Sequence, residues 1–475
     1  MASPFFFFFL LHLSLLAAAT TTTLDVSSAV QKTLDLLNPT TTSLQQQQLH
    51  KTSNSSFSFT LHPRSSIHNH RHHNYEALTL SRLARDSHRV TSLTTRLEFA
   101  LAGTNKSDMK PVIDTDSMIK PQGLSTPVTS GISQGSGEYF ARVGLGTPVQ
   151  SYYMVIDTGS DINWLQCQPC SDCYQQTDPI YNPSSSASYA PLSCGSTQCG
   201  SLEITACRSN TCLYQVSYGD GSFTVGDFVT ETVSFGRSGS VPKVAMGCGH
   251  DNEGLFVGAA GLLGLGGGVL SLPSQIKATS FSYCLVNRDS KTSSTLEFNS
   301  APPANSVTAP LLRNTRMKTY LYVGLTGISV GGRPLSLPPS IFSVDDGGRG
   351  GVIVDSGTAV TRLQSQAYNL LRDAFTSQAR NLKPADGFSL FDTCFDFSAL
   401  TRVAVPTVGF TFAGGKTLSL KPENYLIPVD SRGKFCLAFA PTDGALSIIG
   451  NVQQQGTRVG YDLTKYVVSF SPNNC

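Results

Sequence analysis

Two short phrases hold the residues of this chain that are best suited to chemistry. They are Asp-Thr-Gly-Ser at Asp157–Ser160 and Asp-Ser-Gly-Thr at Asp355–Thr358, and they are near-copies of each other. Two carboxyl groups that share one site cannot both ionise easily. One can then act as a general base on a water molecule while the other, protonated, acts as a general acid. The repeated phrase therefore predicts activation of water by a carboxyl pair.

The residues before each phrase indicate how the acids are positioned. Met154–Ile156 and Val352–Val354 are apolar runs typical of buried strands. Each acid would then lie at the end of such a strand, on a tight turn that Gly159 or Gly357 makes possible. Because a shared proton requires one lowered and one raised pKa, we expect activity to peak at acidic pH.

A weak internal repeat extends this symmetry. Gly-Leu-Leu-Gly at 261–264 follows the first acid, and Ile-Ile-Gly at 448–450 follows the second. Glycine permits close backbone approach, and the apolar pair before it is suited to burial. From Glu138 onward the chain also consists of short alternating strands broken by Gly and Pro. We therefore predict an all-β, bilobal fold with a cleft between two pseudo-symmetric lobes.

A glycine-rich tip, Tyr218-Gly219-Asp-Gly-Ser222, lies between the two acids and has alternating sequence on both sides. This pattern is typical of a β-hairpin. An ordinary surface turn is one interpretation of it. Its position after the first acid favours a flap that closes over bound substrate.

The chain of 475 residues begins with an apolar run, Phe5–Ala19, that suits the core of a secretory signal. We predict a signal peptide over 1–24, with a transit peptide as the alternative. No later segment is long and apolar enough to span a bilayer, and Cys475 ends the chain without an anchor tail. The net charge of +2 shows no nucleic-acid footprint.

The 12 cysteines all lie between Cys167 and Cys475, which in a secreted protein predicts disulfides. Seven of them fall within 167–212, so at least one must pair outside that stretch. The run Cys167-x-x-Cys170-x-x-Cys173 could instead hold a metal or an iron–sulfur cluster. The oxidising route and the single histidine after residue 130, His250, favour disulfides.

Residues 25–130 differ from the rest in their Thr, Gln and His tracts and their lack of cysteine. Within them, Ala77–Leu97 has apolar residues near helical spacing with interspersed arginines, namely Arg82, Arg85, Arg89 and Arg96. A surface amphipathic helix is one interpretation. We favour a pro-segment whose basic residues lie across an acidic cleft. Sequons at Asn54 and Asn105 predict glycosylation of this segment.

Seven of the nine histidines also lie in this segment, and His is the side chain that gains charge near pH 6. We hypothesise that their protonation helps to release the segment; a polar tract without consequence is the alternative. The seven are His50, His62, His68, His70, His72, His73 and His88.

Several longer phrases of the chain resemble those of a known family. The phrases QGSGEYF, CYQQTDPIYNP, YQVSYGDGSFTVG, GCGHDNEGLF and SIIGNVQQQGTRVGYD are similar to pepsin-type aspartic peptidases. Within that family they resemble the cysteine-rich plant branch that includes the nepenthesins, and most of all its guard-cell type. The resemblance covers essentially everything after Gly135. It implies an N-terminal lobe over 131–310 with Asp157 and a C-terminal lobe over 311–475 with Asp355.

The resemblance implies roles for individual residues. Asp157 and Asp355 would be the catalytic pair, and Tyr218 would be the flap tyrosine, followed by Gly219. The only tryptophan, Trp164, stands where the family has an indole that hydrogen-bonds that tyrosine. Ser160 and Thr358 match the hydroxyl residues that hydrogen-bond the acids, beyond Gly159 and Gly357.

The family pattern also implies a set of disulfides. The implied pairs are Cys167–Cys170, Cys173–Cys248, Cys194–Cys212, Cys199–Cys207, Cys284–Cys475 and Cys394–Cys436.

The predicted function is acid hydrolysis of peptide bonds by a secreted, monomeric endopeptidase made as a zymogen. Its partner would be an extended peptide or unfolded protein, with no cofactor, metal, nucleic acid or membrane anchor. The expected destination is the cell exterior, the endoplasmic reticulum or the vacuole. The alternative is an inactive relative that binds or inhibits glycan-degrading enzymes. Such proteins tend to lose an acid or its turn, whereas both are intact here.

Overall fold

The computed structural model describes residues 19–37, 56–67, 74–102, 139–218, 222–254, 256, 258–473 and 475. Short strands dominate these residues, as the recurrence of Gly and Pro between alternating segments predicts. The predicted signal segment before residue 19, the sequons Asn54 and Asn105 and the flap residue Gly219 lie outside the described residues. None of the described helices has both the length and the apolar character that crossing a bilayer requires.

Five elements precede the N-terminal lobe. They are β1 (Thr21–Asp25), α1 (Val26–Leu37), β2 (Phe57–Pro63), α2 (Arg64–Ile67) and α3 (Tyr75–Ala102).

The N-terminal lobe contains twelve described strands, two short helices and two single 3-10 turns, at Pro183–Ser185 and Gly236–Ser238. Its strands and helices are β3 (Tyr139–Leu145), β4 (Gln150–Asp157), β5 (Trp164–Gln166), β6 (Ala190–Pro191), α4 (Thr197–Gly200), β7 (Ile204–Arg208), β8 (Thr211–Ser217), β9 (Phe223–Ser234), β10 (Ser240–Glu253), β11 (Gly261–Gly264), α5 (Leu272–Gln275), β12 (Ser280–Cys284), β13 (Ser294–Phe298) and β14 (Val307–Leu312).

The C-terminal lobe contains sixteen described strands, two helices and a 3-10 turn at Pro422–Asn424. Its strands and helices are β15 (Tyr322–Val323), β16 (Leu325–Val330), β17 (Arg333–Pro334), β18 (Val352–Val354), β19 (Thr361–Gln364), α6 (Ser365–Gln378), β20 (Pro384–Ala385), β21 (Cys394–Asp396), β22 (Arg402–Pro406), β23 (Val408–Phe412), β24 (Thr417–Ser419), β25 (Leu426–Pro428), β26 (Lys434–Leu437), β27 (Phe439–Thr442), β28 (Ser447–Ile449), α7 (Asn451–Gln454), β29 (Thr457–Asp462) and β30 (Val467–Pro472).

The predicted repeat is present in both lobes. In the N-terminal lobe β11 runs parallel to β4 and sets Gly264 opposite Asp157. In the C-terminal lobe β28 runs parallel to β18 and sets Ile449 opposite Val354. A Cβ on Gly264 would lie 2.5 Å from backbone atoms of Asp161, so this position accepts only glycine. These matched pairs confirm the prediction of an all-β fold with two similar lobes.

The segment before residue 131 is part of the folded body. Strand β2 pairs with β3 on one side and β13 on the other, within the sheet that joins the lobes. Its buried Phe59 and Leu61 alternate with less buried residues, as expected for a strand with one face on the core. Strand β1 instead pairs with β22 of the C-terminal lobe and buries Leu24. The predicted signal segment thus overlaps the folded structure at residues 19–24.

Two disulfides form as the family pattern implies, Cys284–Cys475 and Cys394–Cys436. The implied Cys167–Cys170 and Cys173–Cys248 are wrong, because the structure joins Cys167 to Cys248 and Cys170 to Cys173. The reason is strand pairing. Strand β5 runs parallel to β10 with Leu165 in register with Cys248, and this brings the cysteine that follows β5 to Cys248. The Cys167–Cys248 bond also explains the odd number of cysteines within 167–212, since it pairs one of them with a cysteine outside that stretch.

The implied Cys194–Cys212 and Cys199–Cys207 are wrong as well. The structure pairs Cys194 with Cys207 and Cys199 with Cys212. Cys207 and Cys212 lie opposite each other across the β7–β8 hairpin. Cys199 and Cys212 are both buried in one cluster, whereas Cys207 is exposed and meets Cys194 on the outer side. Burial, which spacing does not encode, decides between the two arrangements.

Candidate active site

The two acids of the repeated phrases come together at the centre of the cleft. Asp157 ends β4 and is 1% exposed, and Asp355 follows β18 and is fully buried. The carboxylate of Asp157 accepts hydrogen bonds from the Gly159 N–H at 2.8 Å and the Ser160 hydroxyl at 2.5 Å. That of Asp355 accepts from the N–H and hydroxyl of Thr358 at 2.8 and 2.6 Å. We call this pair of acids the dyad.

The middle residues of the two phrases tie the lobes together. The Ser356 N–H donates to the Thr158 hydroxyl at 3.0 Å, and the Thr158 N–H donates to the Ser356 hydroxyl at 3.3 Å. Each hydroxyl also lies within hydrogen-bond distance of a carbonyl oxygen of the opposite lobe, Val354 or Ile156. Sequence reasoning missed Thr158 and Ser356, although a small hydroxyl residue follows the acid in both phrases.

The two turn glycines are required by close approach. Neither Gly159 nor Gly357 has a positive φ, so the tight turn itself does not need glycine, in contrast to our prediction. A Cβ on Gly159 would instead lie 2.5 Å from a guanidinium nitrogen of Arg89, and one on Gly357 would lie 3.0 Å from Arg89 Nε. Glycine therefore lets the occupant of the cleft reach the acids.

That occupant is helix α3. Arg89 Nη1 donates to Asp157 Oδ2 at 3.0 Å, and Nη2 contacts both Asp157 Oδ1 and, at 3.1 Å, Asp355 Oδ1. Arg89 Nε donates to Asp355 Oδ2 at 3.1 Å. Burial alone would raise the pKa of Asp355, but the Arg89 charge and donors, with Thr358 and Thr158, hold it below its usual value. One guanidinium group thus contacts both acids and covers the dyad.

Further contacts hold α3 on both sides of the dyad. Arg82 pairs with Asp289 at 2.7 Å, and Asp86 pairs with Arg362 at 2.6 Å. Beyond Arg89, Arg96 donates to the Gly159 carbonyl at 3.1 Å, and the Leu93 carbonyl accepts from the Tyr320 hydroxyl at 2.7 Å. The predicted helix over 77–97 is therefore present and longer. Sequence reasoning had not distinguished Arg89 from the other three arginines.

The flap residues lie above the N-terminal acid. Strands β8 and β9 form the predicted hairpin, with Ser217 opposite Phe223. The indole Nε1 of the fully buried Trp164 donates to the Tyr218 hydroxyl at 3.0 Å. The ring of Phe256 packs edge-on against both rings. Burial raises the pKa of Tyr218, so its phenol stays protonated at every pH of interest.

The structure contains no sign of a competing metal site in the part of the chain that it describes. None of the described His, Cys, Asp and Glu side chains form a group of three or more suited to a metal ion. The run from Cys167 to Cys173, for which a metal or iron–sulfur cluster was the alternative, is taken up by two disulfides.

A two-lobed β fold with one acid from each lobe in the cleft is the architecture of pepsin-like proteins. Family models match both halves: "Xylanase inhibitor N-terminal" matches 139–299 and "Xylanase inhibitor C-terminal" matches 320–472. Two solved structures share the fold at a TM-score of 0.56. That of edgp is 21% identical and covers 70% of this chain and 91% of its own, and basic 7S globulin from soybean is 19% identical and covers 70% and 92%.

Curated relatives are more specific. "Aspartyl protease family protein 2" of Arabidopsis thaliana is 55% identical over 84% of this chain and 82% of its own length. "Protein ASPARTIC PROTEASE IN GUARD CELL 2" of the same plant is 45% identical over 86% and 84%. "Aspartic proteinase nepenthesin-2" of Nepenthes gracilis is 44% identical over 74% and 80%. The chain belongs to this plant aspartyl protease family.

Proposed function

We propose that this protein is the zymogen of an aspartic endopeptidase that cuts extended peptides at acidic pH. The observation that carries the proposal is the convergence of Asp157 and Asp355 on one guanidinium group, with both hydrogen-bonded turns intact. A guanidinium group spans only a few ångströms, so the two carboxyl groups are close enough to share a water molecule once Arg89 leaves.

The chemistry follows from that geometry. One carboxylate takes a proton from the water, and the resulting nucleophile attacks the scissile carbonyl carbon. The protonated partner hydrogen-bonds the carbonyl oxygen as it becomes negative. The tetrahedral intermediate then collapses, and a proton reaches the leaving amine. The hydroxyls of Ser160 and Thr358 keep the acids oriented throughout.

The proposal of a zymogen rests on what α3 occupies. Arg89 fills the position of the water, and Leu93 lies against Gly159 on the floor of the cleft. A substrate cannot enter while these side chains are present. The basic charge of Arg89 holds the helix most strongly when both acids are ionised, so lowering the pH weakens the hold.

The alternative function is binding or inhibition of glycan-degrading enzymes. The family models that match are described as xylanase inhibitors, and this favours keeping that alternative. The intact dyad with its four turn donors favours the enzyme. A binding protein needs no pair of buried acids whose ionisation is costly. The named proteases at 44–55% identity support the same choice.

Passage through the secretory pathway is compatible with both the peptidase function and the binding function. Five disulfides lie within a lobe and the sixth, Cys284–Cys475, joins the two lobes, and such bonds form and persist in oxidising compartments. We therefore propose passage through the secretory pathway, with glycosylation at Asn54 and Asn105 of the pro-segment. The mature enzyme would act as a monomer, since both acids come from one chain.

The test is to acidify the purified precursor with and without pepstatin, and to assay cleavage of unfolded protein. We expect acid-dependent cleavage that pepstatin blocks and that Asp157→Asn abolishes. Asp346→Asn, at an exposed position outside the two phrases that carry the acids, is the matched control and should cleave normally. Cleavage that survives Asp157→Asn would reject the dyad mechanism. A folded, processed protein that cleaves nothing would favour the binding alternative.

A further inference from the structure

The site that holds Asp86 has an unusual concentration of donors for a carboxylate. Asp86 Oδ1 accepts from the backbone N–H of Ala359 at 2.5 Å and of Val360 at 3.1 Å. Its Oδ2 accepts from Arg362 Nη2 at 2.6 Å. All three donors belong to the C-terminal lobe and follow the second catalytic phrase directly, whereas Asp86 belongs to α3.

The donors are oriented into the cleft and remain with the enzyme when α3 leaves. Arg362 is 5% exposed, and its Nη1 is buried without a hydrogen-bond partner among the described residues. A buried guanidinium with spare donor capacity is costly unless an anion is beside it. Departure of Asp86 would therefore leave a site that favours another carboxylate.

The position of this site relative to the dyad is set by the helix. Asp86 and Arg89 are three residues apart on α3, which corresponds to a rise of about 4.5 Å along the axis. An extended peptide advances about 3.3 Å per residue. A substrate side chain in the Asp86 site would thus belong to a residue about one to two positions from the scissile bond.

An apolar pocket adjoins the same site. Leu83, one helical turn before Asp86, packs in a cluster with Ala359, Val360, Phe388 and Phe391 of the C-terminal lobe. The helix therefore presents an apolar side chain and an acidic one to neighbouring parts of the cleft. Extended substrates can fill both places, since their side chains alternate along the strand.

We propose that Arg362, with the N–H groups of Ala359 and Val360, forms a subsite for an acidic side chain of the substrate close to the scissile bond. This inference rests on the proposed peptidase function and adds a substrate preference to it. Arg362 is then a residue that determines substrate specificity. In the precursor, the carboxylate of Asp86 occupies this subsite.

Two effects oppose the proposal and limit the size of the preference. Burial penalises an ionised carboxyl group at this site, and the charge of Asp355 also acts unfavourably on Asp86. The arginine and the two amides act in the opposite direction, and they must outweigh both effects for a substrate carboxylate to be preferred. Hydrogen bonds to charged groups favour the bound state by about tenfold or more. We expect a preference of about tenfold for an acidic residue.

The test uses the acid-processed enzyme and pairs of peptides that differ only by Glu or Gln, placed in turn at each of three positions on either side of the cut. For one position we expect kcat/KM to be about tenfold higher with Glu at pH 5. Arg362→Met should bring that ratio close to one. Arg380→Met, at an exposed position of the same lobe, should leave the ratio as in the wild type.

Each outcome decides a different point. Equal cleavage of Glu and Gln peptides at all six positions by the wild type would overturn the subsite and leave the peptidase intact. Cleavage of neither peptide would overturn the peptidase function and the subsite with it. If Arg362→Met does not fold, the wild-type comparison still decides. Arg362→Lys then supplies the second variant, with an intermediate ratio expected because lysine cannot present two coplanar donors.

Discussion

Arg89 meets Asp355 through two parallel contacts, Nε to Oδ2 and Nη2 to Oδ1, each at 3.1 Å. Such a two-point pair fixes the orientation of the guanidinium as well as its position. It also accounts for the choice of arginine here, because an ammonium group could not reach both acids in one plane. In the proposed zymogen, this contact covers both acids directly.

Removal of the Arg89 charge should therefore unlock the precursor. Breaking one side of a buried ion pair costs about 3–5 kcal/mol, which is a factor of more than a hundred in the closed-to-open ratio. We expect full-length Arg89→Gln to bind pepstatin at a pH where the wild-type precursor does not. Calorimetric titration measures this, with Thr91→Gln on the exposed face of α3 as control. Equal pepstatin binding by Arg89→Gln and wild type would contradict the role of Arg89.

The pH dependence of release follows from the acids that α3 covers. The pKa of Asp355 is lowered in the closed state, and so is that of Asp289, where Arg82 and Arg288 outweigh the effect of burial. Their contribution to closure is present above their usual pKa of about 4 and is lost as the pH falls through the lowered values. Burial raises the pKa of Asp86, so Asp86 acts with the opposite sign and favours closure in acid.

We expect the effect of Asp355 and Asp289 to outweigh that of Asp86, since two acids act against one. The closed fraction should fall below about pH 4. Fluorescence of Trp164, the only tryptophan, reports the transition, because it hydrogen-bonds the flap tyrosine. Asp289→Asn should open the precursor more readily at pH 7 and flatten the acid limb of the curve. A closed fraction that rises on acidification would contradict this assignment of signs.

His62 should add a second, higher pH range. It lies on β2, its ring packs on Tyr153, and burial together with Arg142 lowers its pKa. The contribution of His62 to closure is therefore complete above a pH of about 6.5. It decreases as the pH falls below that value, because the ring of His62 is harder to protonate while β2 is paired in the sheet. His62→Phe should remove the change in closed fraction between pH 7 and 5. His88→Phe, at an exposed position, is the control.

The hypothesis that histidine protonation helps to release the pro-segment can be applied here to two residues. Of the seven histidines in the pro-segment, only His62 and His88 lie among the described residues, and of these two only His62 is half-buried, in strand β2. An identical pH profile for His62→Phe and wild type would remove the histidine contribution to release.

Loss of the flap hydroxyl should cost both activity and stability. Tyr218→Phe leaves the Trp164 N–H without its acceptor, a penalty of about 1–3 kcal/mol for a buried donor. We expect kcat/KM of the processed enzyme to fall about tenfold, with a measurable decrease in the urea midpoint. Tyr466→Phe, at an exposed position of the C-terminal lobe, should change neither value. An unaffected kcat/KM in Tyr218→Phe would show that the hydroxyl does not position the flap.

The sequence predicts the dyad and the two lobes because these depend on local, repeated patterns. An apolar run followed by an acid indicates a strand end, although the glycine that follows is required by the close approach of Arg89 and not by the turn. The same holds for the flap, where alternation on both sides of a glycine-rich tip indicates the hairpin. Asp157, Asp355 and Tyr218 could therefore be placed without coordinates.

Other features depend on which side a residue faces, and spacing does not encode that. Cys170 and Cys173 lie close in sequence to Cys167, and only the pairing of β5 with β10 shows which of them meets Cys248. The selection of Arg89 among four arginines depends on the rotation of α3 about its axis. The pairing of Thr21–Asp25 with β22 could not be predicted for a different reason. These residues adjoin an apolar run that indicates a signal peptide.

The crossed contacts of Thr158 and Ser356 have a consequence for how this molecule can be assembled. Each loop that carries an acid is braced by a donor from the other half of the polypeptide. Either half expressed by itself would lack the brace for its own loop, so competence arrives only when both halves have folded and met. The first half leaves the ribosome incomplete and must wait for the second.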